Sequence, residues 1–197
     1  TAIIFGGLFV AVILAWRELG KLKGPDRFAS AYVSFFAGLA LFSLRGQVPS
    51  LVSIVAANVL FVLGAALVVE GIRAFYGLRP TRRLTLAAPL ASLPFFAGLT
   101  LVRDDPAGRT ILSSAIMAAL LGAAAVTIWR RRPRGGPQVL EPVTAFALGF
   151  CALLFWARAI AVGARLVDRE LSWESPWMAL PPLLCALCAV VWTTGLL

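Results

Sequence analysis

The sequence predicts an all-α membrane protein, a bundle of seven transmembrane helices. Three observations lead to this fold class. Of the 197 residues, 60% are hydrophobic and only 14% are charged, whereas soluble domains carry about 25% charged residues. The apolar residues form runs without strict alternation, several of them close to the ~20 residues that a helix needs to cross a bilayer. Most basic residues lie in short clusters between these runs, as in polytopic membrane proteins.

Seven apolar spans can be counted, and the third contains a long apolar run, Val48 to Val69, with one amide, that of Asn58. The fourth carries Pro89 and Pro94, which predict a kink because proline has no N–H to donate within a helix. The fifth is rich in alanine and contains the small-residue pattern Ala118-x-x-x-Gly122. The spans form one domain, residues 1–197, and cover residues 1–16, 28–44, 50–75, 84–102, 111–129, 139–167 and 177–197.

Lysine and arginine are distributed unevenly between the two sides of the predicted bundle. The loops between spans one and two, three and four, and five and six each carry four, which makes twelve of the eighteen in the chain. Five lie on the opposite side, and Arg158 lies within span six. Because cytoplasmic loops are enriched in Lys and Arg, the N-terminus is predicted outside and the C-terminus in the cytoplasm, with the chain in a bacterial inner membrane.

Composition excludes several kinds of function. The chain has no histidine, which removes the commonest general base, the usual haem ligand and most zinc, copper and di-iron sites. No nucleophile–base arrangement or glycine-rich phosphate loop occurs, so we expect neither catalysis nor a cofactor. The net charge of +9 is attributed to topology signals and not to nucleic-acid binding. The only lysines, Lys21 and Lys23, lie in the first loop, which excludes a retinal Schiff base in span seven.

The three cysteines all lie inside apolar runs, which argues against a disulfide framework. Cys185 and Cys188 have C-x-x-C spacing and could bind Cu(I), with Cys151 or Met178 as a further ligand. Because no acidic residues or histidines surround them, packing as small apolar side chains is the favoured interpretation.

Four residues are candidates for a ligand site in the outer half of the bundle. Asn58 lies about eight residues, or ~12 Å, inside the outer end of span three. Arg158 lies in the outer half of span six beside Trp156, and Arg45 ends span two on the same side. If spans two, three and six adjoin, these groups could bind an anionic or polar small molecule or a lipid headgroup. The alternative is that Arg158 extends to the interface and Asn58 hydrogen-bonds a neighbouring helix.

A second polar group lies at the predicted inner face. Glu70 and Arg73 are three residues apart near the end of span three, the spacing of a helical ion pair. With Glu141, at the start of span six, they could form a proton relay or a signal-coupling site. A solvated interfacial ion pair is the alternative.

The segment around span three contains Leu44-Arg45-Gly46 followed by Pro49, then Asn58, and a closing Gly71-x-x-x-Phe75-x-Gly77. This segment resembles the N-terminal integral-membrane region of bacterial GGDEF diguanylate cyclases. Ala157-Arg158-Ala159 is similar to an arginine-containing helix of the same region. The resemblance implies a MASE-like sensory module that passes a signal to a cytoplasmic GGDEF domain making cyclic di-GMP. No GGDEF sequence occurs within the 197 residues.

These observations lead to a functional hypothesis, a membrane-embedded sensor that binds a small-molecule or lipid-like signal in its outer half. It would regulate a C-terminal signalling domain, contact membrane lipids and act as a homodimer in the intact protein. The chain begins at Thr1 and stops at Leu197 within apolar runs, so we expect it to be part of a longer protein. The alternatives are a small proton-coupled transporter or channel subunit, which would use Glu70 or Glu141, and an assembly subunit without a ligand.

Overall fold

A computed structural model describes residues 25–79, 81–131 and 140–164. The first and seventh predicted spans, the C-x-x-C pair and Met178 lie outside these residues. Within them the protein is all-helical and has no strand, as the sequence predicts. The helices are α1 (Pro25–Ser43), α2 (Ala57–Phe75), α3 (Arg82–Ala97), α4 (Pro106–Arg131) and α5 (Leu140–Gly163).

Four helical segments in this part of the chain are long and apolar enough to cross a bilayer, which indicates a multi-pass membrane protein. They correspond to predicted spans three to six, and their bounds are Leu51–Phe75, Thr85–Val102, Pro106–Arg131 and Glu141–Gly163. Helix α1 corresponds to span two but is not among the four. It has 19 residues and begins with polar and charged ones. The total of seven spans and their orientation remain predictions.

Helix α2 lies at the centre of the described bundle. It contacts α1, α3 and α4, and it is the most buried of the four candidate spans. Helix α5 lies at one side, where it packs chiefly on α4. One core of buried apolar side chains runs through all five helices.

Aromatic rings of α1 fit against glycines of α2. A Cβ added at Gly71 would lie 2.0 Å from Cε1 of Phe28, and one at Gly64 would lie 2.9 Å from the Phe35 ring. The Phe42 ring continues the row and packs edge-on against Phe61, with 6.0 Å between centroids. The phenylalanines of α1 and the glycines of α2 each recur after seven residues. They pair in opposite order along the two helices, so α1 and α2 are antiparallel. The glycines permit the helices to approach closely.

Small residues also form the contact between α4 and α5. A Cβ on Gly122 would lie 3.8 Å from the Ala152 Cβ, and one on Gly149 would lie 3.9 Å from the Ala125 Cβ. Gly122 of the Ala118-x-x-x-Gly122 pattern thus faces α5, and Ala118 is also buried. Close packing of small side chains is a usual contact between membrane helices.

Two π-helical turns lie at the same end of the bundle and contact each other. Residues Leu51–Ala56 precede α2, and Gly98–Val102 follow α3. Helix α3 passes through Pro89 and Pro94, where the Ser92 hydroxyl donates to the Pro89 carbonyl at 2.9 Å. We call the end with these turns the Arg109 end, after a residue described below. The opposite end, where α2 finishes and α3 begins, is the Glu70 end.

Candidate functional sites at the two ends of the bundle

The carboxylate of Glu70 is buried at the Glu70 end, where the residue is 2% exposed. The Arg27 guanidinium donates to its Oε2, with 2.5 Å between Nη1 and Oε2. The backbone N–H of Thr81, the residue before α3, donates to its Oε1. One carboxylate therefore joins the start of α1, the last part of α2 and the start of α3.

The close approach of α1 and α2 brings these groups together. Phe28 packs directly on Gly71, and these two residues follow Arg27 and Glu70 in the sequence. The ring therefore sets the depth at which the arginine meets the carboxylate. A charge inside a membrane protein needs a counter-charge or hydrogen bonds, and Glu70 has both.

The predicted pairing of Glu70 with Arg73 is wrong. Arg73 instead donates from Nη2 to the carbonyl of Arg79 at 3.1 Å, and Glu70 is not solvated. In the sequence, Arg27 has only the pattern of a topology signal, and its pairing with Glu70 was not predicted. The signal that could have revealed it is the matching seven-residue spacing of the α1 phenylalanines and the α2 glycines.

Glu141 is paired with a different residue at the same end. The Tyr76 hydroxyl lies close enough to the Glu141 carboxylate to donate a hydrogen bond to it. Burial, followed by the charge of Glu141 and this hydrogen bond, raises the pKa of Tyr76, so the phenol stays protonated and donates. Tyr76 directly follows α2 and Glu141 lies in the first turn of α5. This bond joins α5 to the end of the central helix.

Arg109, in the first turns of α4, is the corresponding buried charge at the Arg109 end. The residue is 5% exposed. Its Nη1 donates to the Leu99 carbonyl and to Asp104 Oδ1, each at 2.9 Å. The Asp104 side chain is 82% exposed, and its backbone φ is +40°. A buried cation is thus neutralised by a carboxylate that faces outward.

The turn around Arg109 is built by its neighbours. Asp105 Oδ1 accepts the Gly108 N–H at 3.0 Å, which caps the start of α4. The Asp105 N–H donates to the Leu99 carbonyl at 2.9 Å, so that oxygen accepts two hydrogen bonds. Leu99 belongs to the second π-helical turn, which ties the start of α4 to the end of α3.

Arg45, one of the predicted ligand residues, lies near this cluster. Partial burial and the charge of Arg109 lower the pKa of Arg45, and the charge of Asp104 opposes them. The two guanidinium groups are therefore close enough to repel one another. Arg109 itself was treated as a loop charge in the sequence, because it lies outside the predicted fifth span.

The other three predicted ligand residues lie on α2 and α5. Asn58 is buried, and its Nδ2 donates to the Ile54 carbonyl of its own helical segment at 2.8 Å. Trp156, 48% exposed, and the partly buried Arg158 both belong to α5. A shared pocket would require spans two, three and six to adjoin, and α5 packs chiefly on α4. Ligand binding by these four residues remains a prediction.

Two buried hydroxyls lie close in sequence to the Arg109 contacts. Thr100 follows Leu99 and is 8% exposed, and Ser114 lies five residues after Arg109 and is fully buried. Within the described residues, neither hydroxyl oxygen has a hydrogen-bond partner. Buried hydroxyls are normally satisfied by protein, water or a ligand. Both residues therefore add unused hydrogen-bonding capacity near this end of the bundle.

Comparisons with known protein families, characterised proteins and solved structures found no significant match to this chain. In the described ranges, no group of three or more acidic or cysteine side chains could hold a metal ion. The candidate functional sites in these ranges are the two buried charge clusters, around Glu70 and around Arg109.

Proposed function

We propose that the chain is a membrane-embedded sensor domain. In this proposal it binds a small-molecule or lipid-like signal at the Arg109 end, on the predicted outer side. It then regulates a C-terminal cytoplasmic domain, a GGDEF diguanylate cyclase, in a homodimeric protein of the bacterial inner membrane. One observation supports this most directly: the central helical segment Leu51–Phe75 reaches both charged clusters.

The coupling would run along this segment. At the Arg109 end its π-helical turn contacts the second π-helical turn, whose Leu99 carbonyl binds Arg109. At the other end Glu70 joins α1 and α3 to α2. A ligand that changed the first set of contacts would alter the relative stability of two packings of α2. It can do so only by the difference in its affinity for the two packings.

The first test is to sequence the parent gene through its stop codon. A reading frame that continues past Leu197 into a helical linker and a GGDEF domain supports the proposal. A stop codon within a few residues of Leu197 removes the output and contradicts it.

The second test measures cyclic di-GMP synthesis by the full-length protein in proteoliposomes. Glu70→Gln should change the basal rate, because it removes the charge that holds α1 on α2. Arg73→Gln is the matched control, since Arg73 bonds only the nearby Arg79 carbonyl among the contacts described. Equal rates for Glu70→Gln and the wild type would contradict coupling through this end.

Asn58→Ala and Arg158→Ala test the prediction that these two residues bind the ligand. Each variant should abolish the response to the signal.

A proton-coupled transporter or channel subunit is the second candidate function. The observation that favours it is a buried carboxylate, Glu70, inside a candidate membrane span, because such residues often relay protons. Proton flux into liposomes that is lost in Glu70→Gln and retained in Arg73→Gln would support transport over sensing. Flux that is absent from the wild-type protein would exclude it.

A further inference from the structure

Arg109 and Asp104 differ greatly in their contact with solvent. The arginine side chain is 6% exposed and the aspartate side chain is 82% exposed. In most buried ion pairs both partners are removed from water, because an isolated buried charge is costly. Here the partner of the buried cation faces outward, so the carboxylate lies between Arg109 and the outside of the bundle.

We propose that the Asp104 carboxylate occupies an anion site, and that the carboxylate of an external ligand displaces it. The inference deepens the proposed sensor function by naming the chemical class of the signal, and it rests on that function only for its biological meaning. The binding step itself can be tested without any signalling output.

The charges near this position favour an anion. Arg45 lies close enough to Arg109 for their positive charges to interact, and Asp104 is the one carboxylate that bonds Arg109 in the described contacts. Asp105 is engaged in capping α4. The positive charge of Arg45 therefore acts at the position that the Asp104 carboxylate occupies, and it favours an anion there.

Arg109 also has hydrogen-bonding capacity beyond its two contacts. Nη1 alone donates to Leu99 and Asp104. A guanidinium has five N–H donors in a planar fork, so Nη2 and Nε remain for a second carboxylate oxygen.

Asp104 can leave the site at low cost. Its side chain is already largely hydrated, and its backbone lies in the left-handed region, which Asp and Asn tolerate better than most residues. Its departure would free one hydrogen bond on Arg109 next to the Leu99 carbonyl. Exchange of Asp104 for a ligand would therefore change the hydrogen bonding beside the π-helical turn at the end of α3.

The ligand class follows from the present occupant. Asp104 already offers a carboxylate oxygen at 2.9 Å, so a ligand carboxylate reproduces the same charge and hydrogen bond. Because Asp104 is tethered beside Arg109, its effective concentration is high, of order millimolar or more. A free carboxylate must compete with it, and removing the competitor should increase the apparent affinity.

The experiment measures acetate binding to the purified chain in phosphatidylcholine nanodiscs. Thermal unfolding is followed as sodium acetate replaces sodium chloride at constant ionic strength. Asp104→Asn keeps the left-handed backbone but removes the competing charge. We expect its midpoint to rise at acetate concentrations at least tenfold lower than for the wild type. Adding Arg45→Gln to Asp104→Asn should weaken acetate binding at least threefold.

Asp105→Asn is the matched control. It makes the same change in net charge at the neighbouring residue, and asparagine can still cap α4. Its acetate dependence should equal that of the wild type. If Asp104→Asn and Asp105→Asn respond alike, or if Asp104→Asn gains no affinity, the proposal is wrong. A response of Asp104→Asn to inorganic phosphate but not to acetate would also overturn the carboxylate assignment.

Two sources of the carboxylate can be separated in the same assay. Phosphatidylserine carries a carboxylate in its headgroup, whereas phosphatidylglycerol does not. Competition with acetate by phosphatidylserine alone would identify a lipid headgroup as the ligand, and competition by neither lipid would identify a soluble carboxylate. Equal competition by both lipids would show that any anionic surface suffices, which would overturn the proposal.

Discussion

The two ends of the bundle each bury one charge, but they neutralise it in different ways. Glu70 is held by groups 43 and 11 residues away in the sequence, so its pairing requires three helices to be in place. Arg109 is held by groups 10 and 5 residues away, within the same turn. The side chains of Arg27 and Glu70 are 26% and 3% exposed, whereas the side chain of Asp104 is 82% exposed. A long-range buried pair holds the fold together, whereas a local and open pair is suited to exchange its partner.

Arg27→Met should have the largest effect on stability. It leaves the Glu70 carboxylate buried without its counter-charge, which typically costs about 3–5 kcal/mol. The free energy of unfolding can be measured in mixed micelles by titration with dodecyl sulfate. Arg73→Met is the control and should cost less than about 1 kcal/mol, because its described bond goes to an exposed residue. Adding Glu70→Met to Arg27→Met should restore most of the loss. A double variant as unstable as the single one would contradict this account.

Gly71→Ala should have the next largest effect, because the new Cβ would lie 2.0 Å from Cε1 of Phe28. The ring must shift, and overpacking of this kind costs about 1–3 kcal/mol. Gly98→Ala is the control, since a Cβ there meets nothing within 4 Å. Phe28→Leu should partly rescue Gly71→Ala in the same unfolding assay. Equal losses for the two glycine variants would show that close approach of α1 and α2 is not what positions Arg27.

Arg109→Met should cost less than Arg27→Met, about 1.5 kcal/mol, the lower range for hydrogen bonds to charged groups. The exposed Asp104 remains hydrated, and the Leu99 carbonyl keeps the Asp105 N–H. Arg103→Met, at an exposed position of the same turn, should change stability by less than about 0.5 kcal/mol. If Arg109→Met destabilises the protein as much as Arg27→Met, the contrast between the two ends does not hold.

Tyr76→Phe should have the smallest effect, about 1 kcal/mol for one hydrogen bond. The pKa of Tyr76 is raised on folding from its usual value of 10.0. Its contribution to stability is therefore complete below pH 10 and declines as the pH rises above that value. Unfolding measured between pH 8 and about 11 should show this alkaline decline in the wild type and in the control Tyr32→Phe. If the stability of Tyr76→Phe declines equally at alkaline pH, the bond between Tyr76 and Glu141 is not the cause of the decline.

The positions of the central membrane helices could be predicted closely from the sequence. Predicted spans three and four, residues 50–75 and 84–102, agree with Leu51–Phe75 and Thr85–Val102 to within one residue. The prediction works because each span depends only on a local run of apolar residues between charges. A π-helical turn begins four residues after Pro94, and the kink at Pro89 and Pro94 stays a prediction.

The partners of the charged residues could not be predicted in this way. Glu70 was predicted as a candidate coupling residue, and its expected partner Arg73 lies on the same helix, whereas its actual partner Arg27 lies on another. Arg109 resembled any other arginine between two spans. Of the predicted ligand residues, Arg45 lies close enough to Arg109 for their charges to interact.

The sequence by itself determined that this is an all-helical membrane protein, where its central spans lie and which polar residues they carry. Hydrophobic length and composition are local properties, and a membrane helix satisfies its own backbone whatever its neighbours are. Only the tertiary structure decided that Arg27 meets Glu70 and that Asp104 covers Arg109. The first contact depends on how closely α1 approaches α2 at Gly71, and so on packing between helices that are distant in the sequence. The second is local, but it depends on how the chain turns after Leu99, which the pattern of apolar and charged residues does not specify.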